Sequence, residues 1–283
     1  NIGIIGYGIQ GRAQALNLRD SGLNVRIGNR KDSYADEVVK DGFEIHNPKE
    51  VADWADIIMF LIPDDAQTEV YDRWIKAYLN KGKSIVFAHG YSIYYNRFKI
   101  PEGVDVLLLA PRMPGKYIRE RFISGWGVPA FIDAFCDASG SGLNTVLSLA
   151  KGIGATRIGV MRISLYEETE IDLFVEQFLY PSITYTIHAA FDFLFSKGFT
   201  PEAVISELYA SGEIGELIKH SALSNIYQVF KDHGSPTCQF GKMINTEKVE
   251  KTRPKMHMAE ALQNIRSGEF DQKLRKEAKL DYN

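Results

Sequence analysis

The chain has 283 residues, 45% of them hydrophobic and 24% charged, a balance that excludes a disordered, collagen-like or coiled-coil protein. Its 33 basic residues against 36 acidic ones leave a net charge of −3, without the basic excess of a nucleic-acid-binding surface. The longest apolar run, Ile57 to Pro63, is far shorter than the ~20 residues that cross a bilayer, so a soluble protein with no membrane and no nucleic-acid partner is expected.

Asn1–Ile5 opens the chain inside a strand pattern, which leads us to expect native residues before Asn1. Short apolar runs follow Ile2–Ile5 at Asn24–Ile27, Asp56–Ile62, Ser84–Ala88, Val104–Leu109 and Val128–Phe135. Amphipathic stretches such as Gln10–Asp20 and Ala66–Leu79 lie between them. The runs are continuous rather than alternating, as in strands buried on both faces of a parallel sheet. This βαβ order predicts an α/β domain, a Rossmann-type doubly wound parallel sheet, over residues 1–138.

Past a boundary near Ala138–Gly142 the pattern changes. One apolar run, Thr156–Met161, precedes segments of helical period at Tyr166–Phe195, Pro201–His220, Ala222–Lys231 and Met258–Leu274. Residues 139–283 therefore read as an all-helical C-terminal domain. The charged tail Arg275–Asn283 reads as a solvated end. Cys136 and Cys238 are too few for a disulfide framework and lack zinc-site spacing. We expect two reduced, buried thiols and a cytoplasmic protein.

Gly6-Tyr7-Gly8-Ile9-Gln10-Gly11 forms a GxGxxG that directly follows the first strand and opens the first helix, the context of a dinucleotide-binding turn. Gly6 allows the turn, Gly8 admits the pyrophosphate, and Gly11 lets helix and strand pack closely. About 20 residues further on, an NAD site usually carries an acid. Here that place reads Asn29-Arg30-Lys31-Asp32-Ser33. Arg30, Lys31 and Ser33 suit a 2′-phosphate, whereas Asp32 would repel one. NADP is the expected cofactor.

The run Ile5–Gly22 strongly resembles the opening of the ketol-acid reductoisomerases, the acetohydroxyacid isomeroreductases of branched-chain amino-acid synthesis. The likeness continues in Leu61-Ile62-Pro63-Asp64-Asp65-Ala66-Gln67, Phe87-Ala88-His89-Gly90, Asp137-Ala138-Ser139-Gly140 and Gly152-Ile153-Gly154. It extends through Glu167–Gln177, Ser235–Gly241 and Ile265–Phe270. The length fits the class with a single helical domain. The resemblance implies NADP and two Mg²⁺ ions, with Asp172 and Glu176 as metal ligands of one subunit. It further implies His89, Arg112 and Glu176 as catalytic residues, Gly115 at the cofactor and Ser235 at a keto-acid substrate. A homodimer or higher homo-oligomer follows, because the family's site is shared between subunits. Independently of the resemblance, Asp172 and Glu176 stand four apart in an apolar helical segment. Their carboxylates leave one face and suit a hard cation such as Mg²⁺; a solvated acidic face is the other reading of that spacing.

Two departures from the family pattern stand out. The family's other two metal ligands are glutamates four apart on a later helix of the partner subunit. Here one alignment gives Glu207 with Ser211 in the second place, and another favours Glu213. At Ala110–Lys116, Arg112-Met113 replaces the family's lysine and glycine, and arginine differs from lysine in reach and donor geometry. The leading expectation is therefore an isomeroreductase that joins alkyl migration to hydride reduction of a 2-hydroxy-2-alkyl-3-keto acid. The alternative is a divergent NADP-dependent keto or imino reductase that has lost the migration.

Overall fold

The computed structural model describes residues 1–30, 32–250 and 254–281, so Lys31 lies outside the described residues. In the first half, strands and helices alternate: β1 (Ile2–Ile5), α1 (Ile9–Asp20), β2 (Val25–Gly28), α2 (Ala35–Lys40), β3 (Ile45–His46), α3 (Pro48–Trp54) and β4 (Ile57–Phe60). Then come α4 (Asp64–Val70), β5 (Ser84–Phe87), α5 (Tyr91–Tyr94), β6 (Asp105–Pro111), α6 (Gly115–Ile123), β7 (Ala130–Cys136), α7 (Gly142–Gly152) and β8 (Val160–Arg162). The eight strands form one sheet in the order β3-β2-β1-β4-β5-β6-β7-β8. The order turns back between β1 and β4, and in such sheets ligands bind outside the carboxyl ends of the strands at that switch.

Burial explains the continuous apolar runs. Ile4, Leu18, Met59, Val86 and Leu107 fill one side of the sheet, and Ile5, Phe60, Phe87, Leu108 and Val51 fill the other. The sheet departs from the expected parallel arrangement at one place, where β6 and β7 pair antiparallel. After α6 the chain re-enters the sheet at the end it had left, with Ala130 beside Pro111. Strand periodicity does not encode that direction.

The remaining helices are α8 (Leu165–Phe174), α9 (Tyr180–Ser196), α10 (Pro201–Ile205), α11 (Glu213–His220), α12 (Ile226–His233), α13 (Pro236–Glu250), α14 (Pro254–Ser267) and α15 (Glu269–Asp281). Two compact units result: residues 1–171 with 270–283, and residues 172–269. Two expected helices are each divided in the structure. Gly212, at φ +82°, ends the segment before α11, and Gly268, at φ +78°, separates α14 from α15. Both adopt the left-handed conformation in which glycine stops helices. The tail past Arg275 continues α15 as far as Asp281. Contrary to expectation, Cys136 and Cys238 are exposed free thiols, because one closes a strand near the sheet's end and the other lies in the first turn of α13.

Candidate active site

The glycine turn follows β1 at the switch point. Gly6 has φ +97°, and a Cβ there would stand 2.5 Å from Ile62 and 2.9 Å from the Leu61 carbonyl. A Cβ on Gly11 would stand 2.1 Å from the Gly6 carbonyl. Neither position accepts a side chain. Gly8 faces open space within 4 Å, the room a pyrophosphate needs. No side chain caps α1, and its first turn carries no acid. Its free N–H groups and positive dipole end thus remain available to an anion. Tyr7, by contrast, turns its ring into the core, where its hydroxyl donates to Asp41 Oδ2 at 2.9 Å. Burial first, and then this bond, raise its pKa. Ile9 is exposed, Gln10 donates to the Met113 carbonyl at 3.2 Å, and Gly115 packs against the Ile9 backbone.

The loop after β2 is organised by Asp32. Its Oδ2 accepts from Arg30 Nε at 3.0 Å, and its Oδ1 accepts from Asn29 Nδ2 at 3.1 Å and the Tyr34 N–H at 3.0 Å. Burial opposes ionisation of Asp32, but these donors outweigh it and hold its pKa below the usual range. The Arg30 side chain is 85% exposed, and Ser33 is exposed beside it. Asn29 Oδ1 in turn accepts from the Tyr7 N–H at 3.2 Å, tying this loop to the glycine turn.

His89 lies two residues past β5, at the carboxyl end of that strand. Its Nδ1 lies 3.2 Å from Asp64 Oδ2, and Asp64 Oδ1 accepts from Gln67 at 3.0 Å. Arg112 follows β6 at the same end of the sheet. It donates to Glu168 Oε1 at 3.0 Å and lies 4.9 Å over the Phe131 ring. Glu168 Oε2 accepts from the Gly90 N–H at 3.1 Å, and its side chain is fully buried. A Cβ on Gly90 would stand 2.3 Å from Thr169 Oγ1, so glycine is what allows α8 to approach the His89 turn. His89 and Glu168 bring ligand-type atoms within 4.8 Å of each other.

Asp172 stands one turn beyond Glu168 on the same helix α8 and is half-buried. Glu176 is exposed, in the π-helical turn Val175–Leu179 that follows. Such π-turns recur at functional sites. In the second unit, Glu207 lies in another π-helical turn, Ser206–Ala210, while Glu213 begins α11 beyond the break at Gly212. Both are exposed, and among the described residues neither belongs to a cluster of metal-ligand type. Ser235 precedes α13, and its hydroxyl accepts from the Cys238 N–H at 3.2 Å.

Sequence reasoning overlooked Glu168, Asp64 and Gln67 as site residues. The signal for Glu168 was present as an acid at four-residue spacing before Asp172 and Glu176. Nothing in the sequence indicates that Arg112 and Gly90 would converge on it.

A switch point in the strand order, a glycine turn with room at Gly8, and a histidine beside a buried acid at the strand ends define a dinucleotide-dependent oxidoreductase with a polar second site. Comparison with known proteins narrows the class. The profile described as acetohydroxy acid isomeroreductase, NADPH-binding domain, matches residues 1–159, and that of the ketol-acid reductoisomerase C-terminal domain matches residues 165–283. The chain belongs to the ketol-acid reductoisomerase family. It is 41% identical over 272 residues to the ketol-acid reductoisomerase (NADP(+)) of Methanococcus maripaludis strain C7, covering 95% of this chain and 81% of that protein. Identity to the Methanocaldococcus jannaschii enzyme of the same name is 39% over equal coverage. A solved NADH-preferring ketol-acid reductoisomerase from an uncultured archean superposes with a TM-score of 0.93 at 30% identity, covering 99% of this chain and 86% of that one. A Coxiella burnetii pyrroline-5-carboxylate reductase, with a TM-score of 0.66 at 16% identity, shares the fold alone.

Proposed function

We propose that this protein is an NADP-dependent ketol-acid reductoisomerase, converting a 2-hydroxy-2-alkyl-3-keto acid by alkyl migration and reduction of the resulting ketone. The observation that carries this reading is the convergence of His89–Asp64 and Arg112–Glu168 at the carboxyl ends of the strands, the edge of the mostly parallel sheet that also carries the glycine turn. A reductase that has lost the migration is not favoured, since family profiles cover both halves of the chain.

When bound, NADPH supplies the hydride and Mg²⁺ supplies Lewis-acid polarisation of the ketone and hydroxyl oxygens. The residues present fit both groups. The open space at Gly8 and the uncapped start of α1 would hold a pyrophosphate, and Ile9, Gln10 and Gly115 would contribute to the same cofactor site. Arg30 and Ser33, both exposed in the loop after β2, would meet the 2′-phosphate, and Lys31 is the third candidate by its place in the sequence. The carboxylates of Asp172 and Glu176 are hard oxygen donors of the kind Mg²⁺ takes. Glu207 and Glu213 would complete the set from a second subunit. Asp64 orients the imidazole of His89, and Arg112 neutralises Glu168 so that a buried acid persists beside the substrate. Ser235 would contact the substrate.

On this reading, residues 1–138 serve the cofactor and also carry His89 and Arg112, and residues 139–283 serve metal, substrate and dimerisation. Dependence on reduced NADP suits the cytoplasm. The test is NADPH oxidation with 2-acetolactate and, separately, with the already rearranged keto acid, each with and without Mg²⁺. Turnover of both, with acetolactate requiring Mg²⁺, is the expected result. Reduction of the rearranged acid alone would overturn the migration.

A further inference from the structure

We infer that Asp271, on the C-terminal helix α15, is a positioning residue for the reaction, acting on His89 through the turn Gly90–Arg97. The inference rests on the assignment of His89 to the active site. Asp271 is 2% exposed, and a buried carboxylate is costly unless paired and hydrogen-bonded. Its partners account for its burial. Oδ1 accepts from Tyr91 Oη at 2.8 Å and from Arg97 Nη1 at 2.9 Å, while Oδ2 accepts from Arg275.

Both long-range partners lie on the turn that carries His89. Tyr91 is two residues beyond the histidine, and their rings stand 6.1 Å apart. Burial, reinforced by the bond to Asp271, raises the Tyr91 pKa and keeps the phenol a donor. At the other end of the turn, Arg97 is 12% exposed and returns its N–H to the Ser92 carbonyl at 2.8 Å. Between them Asn96 sits at φ +49°, a left-handed conformation that costs a non-glycine residue free energy unless its surroundings hold it. Phe98 stacks on Tyr71 at 4.1 Å, so the turn leaves on a fixed course.

Three anchors therefore fix the segment. Glu168 holds the Gly90 N–H, Asp271 holds Tyr91 and Arg97, and the Phe98 stack holds the exit. Two of the three lie in the core or on the adjacent helix. The remaining one, Asp271, comes from a residue 180 positions away from Tyr91 in sequence. A simple staple for the terminal helix could use any surface of the sheet. This one grips the two side chains that bracket the strained turn next to His89.

The experiment uses the full chain with NADPH, Mg²⁺ and 2-acetolactate. Asp271→Asn, Asp271→Glu, Tyr91→Phe and the double variant Asp271→Asn/Tyr91→Phe are assayed well below each protein's Tm. The expected result is a fall in kcat of at least tenfold for Asp271→Asn, with the KM for acetolactate and the Kd for NADPH within twofold of wild type. Asp271→Glu should recover part of that kcat, and the double variant should be little worse than Asp271→Asn alone. A folded Asp271→Asn protein with wild-type kcat overturns the inference, as does a loss spread equally over kcat, KM and cofactor binding. Should Asp271→Asn fail to fold, Tyr91→Phe removes a single hydroxyl and decides by the same split. If wild type itself does not turn over acetolactate, the proposed function fails instead. Amide exchange over residues 88–97 then decides the positioning: acceleration in Asp271→Asn confined to that segment supports it, and unchanged exchange refutes it.

Discussion

At the scale of single residues, the site is governed by which charges are buried and what faces them. Glu168 is fully buried and its guanidinium partner Arg112 is 26% exposed. Removing one member of such a pair leaves the other charge uncompensated, at a cost of about 3–5 kcal/mol. Arg112→Ala should lower Tm markedly, and adding Glu168→Gln should restore much of the loss; thermal unfolding of the single and double variants checks this. The metal reading predicts that Asp172→Asn abolishes Mg²⁺-dependent turnover while NADPH binding survives, since the glycine turn is remote from α8 in sequence and built from backbone. A solvated acidic face predicts no change in either, and parallel Mg²⁺ and NADPH titrations tell the two apart. Arg30 faces solvent, and on the proposed reading it would meet the 2′-phosphate, where charge-assisted contacts contribute roughly 1.5–3 kcal/mol each. Arg30→Ala should weaken NADPH binding about tenfold or more and leave NADH nearly unaffected in a fluorescence titration. Equal effects on the two cofactors would remove Arg30 from phosphate recognition.

Elements are placed by their ends. The start of α1 can lie against β1 only because Gly6 and Gly11 lack side chains. The positive φ of Gly6 alone would cost an alanine about 1–3 kcal/mol, so Gly6→Ala should lower Tm and abolish NADPH binding together. The same helix reaches the end of α2 through Arg12, whose Nε donates to Asp41 Oδ2 at 2.6 Å. Burial works against ionisation of Asp41, yet the bonds from Arg12 and Tyr7 prevail and depress its pKa. A folded pKa below the unfolded ~3.9 gives stability that is full above that value and lost as pH falls through the folded pKa. Asp41→Asn should therefore flatten the acid limb of a Tm-against-pH curve below about pH 4. Asp20 and Asp32, also depressed, keep part of that slope. An unchanged limb would show that Asp41 is not among the groups that set it.

For the whole molecule, the decisive feature is the apolar surface of α9, which the described residues leave exposed. All seventeen residues of α9 escape full burial, and Tyr180, Tyr185, Phe193 and Phe195 are 54–75% exposed. Exposed apolar area on this scale marks association surfaces. A homodimer burying more than ~2,000 Å² is the expected state by light scattering at micromolar concentration. Tyr185→Asp combined with Phe193→Asp should give monomers, and Mg²⁺-dependent turnover should fall with assembly if a second subunit completes the metal set. A wild-type monomer with full activity would refute both.

Apolar runs placed the strands and the glycine turn in the sequence, since burial on both faces and the demands of a pyrophosphate constrain residue type locally. The likeness of Ile5–Gly22 and Glu167–Gln177 to one family was legible for the same reason. The antiparallel entry of β7 was not, because the direction of a strand depends on where α6 delivers the chain. Nor were the breaks at Gly212 and Gly268 apparent, since a glycine within a helical pattern ends the helix only where it turns left-handed. The exposure of both cysteines likewise follows from strand and helix ends that composition does not reveal. Above all, tertiary structure alone brought Glu168 to Arg112 and Asp271 to Tyr91 and Arg97. A buried charge is stable only where distant segments meet with matched donors, and that coincidence in space leaves no period or spacing in the chain.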